Sequence, residues 1–227
     1  MITTVIFDLD DTLYDEVDYC RSGFAAVARF LVRFSDCPCA EDAFACLWRH
    51  FTAGNRTNTF NAAMEELGIP YDAHRIAQLV EVYRGHRPGI ELPADSRRTL
   101  DALRDGYTLA LLTDGFLPAQ RLKVEALGIV SRFRAIVYTE ELGRPFWKPS
   151  PAGFEKLLSE LGTPADRMAY VGDNETKDFI APNRMGMLTI QVLRERRLHT
   201  DRGAEADAKA TLQTSRIEDL PSLLVRY

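Results

Sequence analysis

Five short apolar runs rich in β-branched residues limit what this chain can fold into more than any other feature. They are Ile2–Phe7, Tyr107–Leu112, Ala135–Tyr138, Met168–Val171 and Met187–Val192. Each has the length of a strand rather than a helix, and reads as a strand buried on both faces. Helical patterns fill the later gaps, at Pro118–Leu127, Pro151–Leu161 and about Glu175–Arg184. Strand, helix, strand in repetition implies right-handed crossovers and an α/β fold, a mostly parallel sheet with helices on both faces. Ser150-Pro151 and Thr163-Pro164 punctuate the third connection, with proline at home in a first helical turn.

From about Asp15 to Pro88 the texture changes. Phe24, Val27, Ala28, Leu31 and Phe34 follow the three-and-four spacing of an amphipathic helix. Phe44, Leu47, Trp48 and Phe51 repeat it, as do Ile76, Leu79, Val80 and Tyr83. Gly68-Ile69-Pro70 and Arg87-Pro88-Gly89 read as breaks, and no credible strand interrupts these stripes. The expected organisation is an α/β core formed by residues 1–14 and 89–227, with an all-helical segment, 15–88, inserted just after the first strand. Arg194 to Ala208 reads as a solvated loop, and Ile217 to Val225 as a short terminal helix.

A formal net charge of −5 argues against nucleic acid as the main partner, because phosphate backbones recruit basic faces. No run approaches the ~18 apolar residues of a membrane span, and the first residues lack a secretory signal, so a cytoplasmic protein, monomer or homodimer, is expected. Cys20, Cys37, Cys39 and Cys46 all fall in the helical segment and read as reduced packing groups. Cys37, Cys39 and the nearby His50 match no common zinc spacing. Lysine is scarce: Lys123, Lys148, Lys156, Lys177 and Lys209 are the whole set, so a lysine within a motif carries extra information.

Four of the expected strands end in polar groups. The first runs into Asp8-Leu9-Asp10-Asp11-Thr12, where alternation lets Asp8 and Asp10 address one site. A calcium loop is excluded here, because Leu13 stands where the turn glycine belongs and Tyr19 where the bidentate glutamate belongs. The second ends in Thr113-Asp114-Gly115, a hydroxyl donor beside a glycine that admits close backbone approach. Lys148 follows the third, in Phe146-Trp147-Lys148-Pro149. The fourth ends in Gly172-Asp173-Asn174, with Asp178 five residues after Asp173. Each motif alone has an ordinary structural explanation. In an open parallel sheet, however, ligands bind beyond the carboxyl ends of the strands, so the fold delivers all four to one crevice. Carboxylates gathered there repel one another. A divalent cation and Lys148 relieve that repulsion, and magnesium suits carboxylate, water and phosphate oxygens best.

With these motifs in this order, the sequence resembles the haloacid dehalogenase superfamily, specifically its phosphatases with a helical cap inserted after the first motif. The resemblance spans nearly the whole chain and implies a Rossmann-like core and a phosphoric monoester hydrolase. It implies Asp8 as nucleophile and Asp10 as general acid/base. Thr113, Asp114, Gly115 and Lys148 would hold the transferring phosphoryl group. Asp8, the backbone carbonyl of Asp10, and Asp173 would bind Mg2+, supported by Asp178 and Asn174. Asp10 itself speaks for cleavage of a P–O ester, since C–Cl hydrolysis needs no leaving-group proton. A sugar-phosphate mutase uses the same core residues and stays open, as does a non-catalytic phosphate-binding relative. A receiver-type phospho-accepting domain does not fit, because it carries its aspartate on a middle strand. Asn55 and Arg56, with Trp147, are candidate contacts for a small phosphorylated metabolite, a nucleotide or a sugar phosphate. Two features depart from the family's pattern: the aromatic pair Phe146-Trp147 before Lys148, and Pro182, which is expected to kink or end its helix early.

Overall fold

The computed structural model describes residues 1–33 and 39–227, so Phe34 and Cys37 lie outside the described residues. The chain divides into two compact units, Met1–Val17 together with Glu91–Tyr227, and Asp18–Ile90. The first unit is built on a six-stranded sheet of β1 (Thr4–Phe7), β2 (Thr108–Thr113), β3 (Ala135–Tyr138), β4 (Met168–Gly172), β5 (Leu188–Val192) and β6 (Leu212–Thr214). The strands lie in the order β3-β2-β1-β4-β5-β6, all parallel. β1 is central because its four residues are buried on both faces, as a covered parallel strand requires. It pairs Phe7 with Leu111 on one side and with Val171 on the other, so β2 runs two residues and β4 one residue past the end of β1. Strand order reverses at β1, which opens a crevice beyond its carboxyl end.

Alternation across the sheet puts Ile6, Leu112 and Tyr170 into one core cluster with Phe154 and Leu157 of α7 (Ala152–Leu161) and with Phe179. Burying each such side chain contributes about 1.5–3 kcal/mol. The connections also include α5 (Ala94–Leu103) and α6 (Ala119–Ala126), and after β4 come α8 (Ile180–Arg184) and α9 (Leu220–Leu224).

Local structure departs from the sequence expectation in three places. The helix expected from Glu175 begins only at Ile180, because residues 174–179 form a turn in which Asp178 N donates to Asn174 O at 2.9 Å. Pro182 therefore falls in the first turn of α8, where no intrahelical partner is lost and no kink is imposed. Helix α5 was not foreseen. Neither was β6, a three-residue edge strand only partly buried and too short to show a period.

The second unit is helical among the described residues. It comprises most of α1 (Glu16–Leu31), then α2 (Ala40–Thr52), α3 (Thr59–Glu66) and α4 (Ala73–Gly85). Phe24 of α1 lies 5.2 Å, ring to ring, from both Phe51 and Tyr83, and 6.1 Å from Phe60. Leu47 and Leu79 are fully buried, so the stripes form an inter-helical core. Cys39 caps α2, its sulfur accepting from Asp42 N at 3.3 Å. Among the described residues no helix is long and apolar enough to cross a membrane.

Candidate active site

Asp8 extends β1 by one residue, its N–H donating to Val171 O at 2.8 Å, and its side chain is buried. Lys148 arrives from the loop after β3. Its Nζ donates to Asp8 Oδ1 at 2.7 Å, to Asp178 Oδ1 at 2.8 Å and to the Tyr170 hydroxyl at 2.9 Å. Burial pushes the Asp8 carboxyl up to about 6; Lys148 draws it down, Asp178 repels it, and Lys177 lowers it a little. Burial also opposes the charge on Lys148, yet Asp178 and Asp8 outweigh it and hold the ammonium well above its ordinary value. For Asp178 burial is again the largest influence, but Lys148 and Lys177 overcome it and keep the carboxyl ionised. Asp178 Oδ2 accepts the N–H groups of Asp173 and Asn174, at 3.2 and 2.9 Å, and so shapes the turn after β4. Gly172 makes that approach feasible, since a Cβ there would lie 2.7 Å from Asp178 Oδ2.

Asp173 is the unsettled member. It is buried, its Oδ2 has no hydrogen-bond partner, and burial with repulsion from Asp178 and Asp8 raises its carboxyl to about 10. Asp8, Asp173 and Asp178 each offer an oxygen, all within 4.8 Å of one another. An orphaned carboxylate oxygen facing two other acids fits a hard cation, which would satisfy it and displace its proton. Asn174 is engaged in its own turn, its Oδ1 accepting from Thr176 N and Oγ1 at 2.9 and 2.6 Å.

Asp10 faces a different set of donors. Lys123 Nζ reaches both its oxygens, at 2.8 and 2.9 Å, Gln120 Nε2 reaches Oδ2 at 2.8 Å, and the Tyr14 hydroxyl donates to Oδ1. Burial works against its charge, but Lys123 and these hydrogen bonds prevail and hold the carboxyl below its ordinary value. The intervening turn is braced by Asp11, the one non-glycine residue with positive φ (54°) among the described residues. Its carboxylate accepts Glu16 N at 2.8 Å and Leu198 N at 2.6 Å.

Thr113 ends β2 with its Oγ1 accepting from Gln120 Nε2 at 2.6 Å. The Asp114 carboxylate bonds within the core unit. Oδ1 accepts from Thr139 Oγ1 at 2.8 Å and from the Lys148 N–H at 3.2 Å, which anchors the loop that delivers Lys148. Trp147 donates from Nε1 to Glu140 at 2.9 Å and meets Phe116 edge-on at 5.3 Å, with the Arg144 guanidinium 5.3 Å from its ring centre. A cavity of about 430 Å³ opens beside Asp173, lined also by Gln191, Arg197, His199, Arg202 and Lys209. Asn55 and Arg56 belong to the helical unit, in the loop between α2 and α3, where the Arg56 guanidinium lies 5.8 Å from the Phe51 ring.

Sequence reasoning missed Tyr14, Gln120, Lys123, Tyr170 and Lys177. The scarcity of lysine was the available signal: Lys123, Lys148 and Lys177, three of the five, stand among these acids.

A parallel α/β sheet with a lysine-paired aspartate after its central strand and an orphaned acid after the next defines a Rossmann-like hydrolase core. The sequence model of the haloacid dehalogenase-like hydrolases matches residues 2–186, and the chain belongs to that family. It is 29% identical to the glyceraldehyde 3-phosphate phosphatase of Methanopyrus kandleri, over 86% of this chain and 85% of that one. With the phosphoserine phosphatase of Thermus thermophilus it shares 28% identity over 95% of each chain. Among solved structures, a 2-haloacid dehalogenase from Pseudomonas syringae superposes with a TM-score of 0.67 at 25% identity, covering 100% of this chain and 99% of that one. A HAD-hydrolase from Bacillus subtilis, solved with magnesium, shares the fold at a TM-score of 0.68 and 21% identity, with 98% of each chain covered. The protein is an enzyme of the phosphoric monoester hydrolase class.

Proposed function

We propose that the protein is a magnesium-dependent phosphatase that hydrolyses a small phosphate monoester through an aspartyl-phosphate on Asp8. The observation that carries this reading is the asymmetry between two acids. Asp8 is paired by Lys148, whereas Asp173 is buried beside it with a bare oxygen. Asp8, the Asp10 backbone carbonyl and Asp173 would hold Mg2+, which when bound would neutralise charge on the phosphoryl oxygens and the attacking carboxylate. In the first half-reaction an Asp8 oxygen forms a bond to phosphorus as the ester oxygen leaves, and Asp10, which must enter this step protonated against the pull of Lys123, gives that oxygen its proton. In the second, Asp10 takes a proton from water, whose oxygen attacks phosphorus and frees Asp8 and inorganic phosphate. Thr113 and Lys148 steady the phosphoryl group in both halves.

The curated relatives are named for glyceraldehyde 3-phosphate, phosphoserine and ribulose-1,5-bisphosphate. These names favour a short polar phosphoester or sugar phosphate over a nucleotide. The helical unit, inserted in sequence directly after Asp8 and Asp10, is proposed as a lid that supplies selectivity, with Asn55 and Arg56 as substrate contacts.

The test is a panel of phosphate monoesters assayed with magnesium, with calcium and with a strong chelator, beside the Asp8→Asn variant. Turnover is expected with magnesium only, and to vanish in Asp8→Asn while the fold persists. Equal activity in metal-free protein, or in Asp8→Asn, overturns the reading.

A further inference from the structure

Helix α6 carries two buried polar side chains that none of the four motifs includes. Gln120 is 1% exposed and Lys123 is 3% exposed, and their i, i+3 spacing puts them on one face of the helix. Such groups are costly to bury without partners, so what they bond to is informative. Both reach Asp10, Lys123 through both oxygens and Gln120 through Oδ2, and the Gln120 amide also reaches Thr113 Oγ1 at 2.6 Å.

We propose that Gln120 and Lys123 are positioning residues for the phosphatase reaction: Lys123 fixes the Asp10 carboxylate, and Gln120 ties that carboxylate to Thr113 and aims the Thr113 hydroxyl. The inference rests on the reading of Asp10 as acid/base and of Thr113 as a phosphoryl contact. A hydroxyl has one proton and two acceptor sites. Because Thr113 Oγ1 already accepts from Gln120, its proton points away from the amide and is free to meet a phosphate oxygen. Asp10 accepts from three side chains, Tyr14, Gln120 and Lys123, whose Nζ spans both oxygens; loosening one arm of that last contact leaves a site for the proton that Asp10 exchanges. Such a group stays where its donors hold it. A buried ion pair is by itself poor evidence of a stabilising role, since apolar side chains of like volume serve as well.

Gly115 supplies an independent observation. Its φ is +139°, and a Cβ there would lie 2.8 Å from Gln120 Cδ and 2.9 Å from Cγ. The absence of a side chain at the glycine of the second motif therefore makes room for the Gln120 side chain.

The experiment compares Lys123→Met, Lys123→Arg and Gln120→Leu with wild type on glycerol phosphate and p-nitrophenyl phosphate, with magnesium present. Small misplacement of a general acid costs about 10–100-fold. Lys123→Met is thus expected to lose that much kcat on the alkyl ester but under about 3-fold on the nitrophenyl ester, whose leaving group needs little protonation. Its KM should hold steady, and Lys123→Arg should recover most of the loss. Gln120→Leu should in addition weaken inhibition by vanadate by about 10-fold, through the misaimed Thr113 hydroxyl. Equal losses on both esters, or unchanged kcat on glycerol phosphate, overturn the inference while leaving the phosphatase reading intact. A wild-type chain that hydrolyses neither these esters nor any of the wider panel overturns both. Should Lys123→Met fail to fold, Lys123→Gln carries the same two-ester comparison.

Discussion

Replacing Lys148 with methionine removes the ammonium shared by Asp8, Asp178 and the Tyr170 hydroxyl while keeping the side chain's length. Truncating one partner of a buried ion pair costs about 3–5 kcal/mol, because the other charge stays buried and unpaired. Here two carboxylates are left, but either can take a proton, so about 3 kcal/mol is expected near pH 8. For a chain of this size that lowers Tm by about 6–12 °C. The sign with pH follows from linkage. Burial already holds Asp8 at about 6, above its unfolded value near 4, and loss of Lys148 moves it higher. A carboxyl raised in the folded state contributes stability below its unfolded pKa and loses it as pH rises through the folded one. The deficit should therefore be small near pH 4 and grow through pH 6 towards pH 8. Thermal unfolding of chelator-treated protein at about pH 5 and pH 8 reads this directly. Adding Asp178→Asn to the variant should return about 0.5–3 kcal/mol, the usual range of coupling between touching groups. A variant as stable as wild type at pH 8, or a deficit equal at both pH values, refutes the charge argument; the latter would assign the loss to packing of the lysine stem.

Asp10→Asn should lower kcat by about 10²–10⁴-fold on alkyl phosphates and far less on p-nitrophenyl phosphate, and equal losses would exclude a leaving-group acid. Asp173→Asn should abolish thermal stabilisation by magnesium yet stabilise the metal-free protein. The wild-type carboxyl titrates at about 10, so its burial costs stability progressively from about pH 4 upward. The variant's advantage should grow by at most about 1.4 kcal/mol per pH unit across that window, and a flat profile would show that Asp173 is not the raised group. Gly115→Ala combines an unfavourable φ of +139° with a clash against Gln120 and should cost about 1–3 kcal/mol in urea unfolding, with a fall in kcat; an unaffected variant would mean that Gln120 yields freely.

The order of the five short apolar runs, the parallel sheet and the polar groups after four of its strands were all legible in the chain. They depend on local pattern: a run buried on both faces must be apolar throughout, and a ligand-binding edge must end polar. The turn 174–179 was not legible, because Asp178 bonds the backbone of Asp173 and Asn174 and so replaces a helical turn with side-chain contacts. Strand β6 escaped notice because three half-buried residues carry no period. The partners of the Asp114 carboxylate were not legible for a similar reason: it accepts from Thr139, 25 residues away, and from the Lys148 backbone.

By itself, then, the sequence determined the fold class, the family resemblance and the set of acids, threonine and lysine after the strands, since strand length, alternation and turn chemistry are properties of neighbouring residues. Only the tertiary structure decided how those groups divide. It pairs Asp8 and Asp178 with Lys148, pairs Asp10 with Lys123 and Gln120, and leaves one oxygen of Asp173 bare. Such a division is set by distances of a few ångströms between residues 30 to 140 positions apart, and by burial, which raises Asp8 despite Lys148 yet is overcome at Asp178 by Lys148 and Lys177. Neither quantity exists until the sheet has assembled.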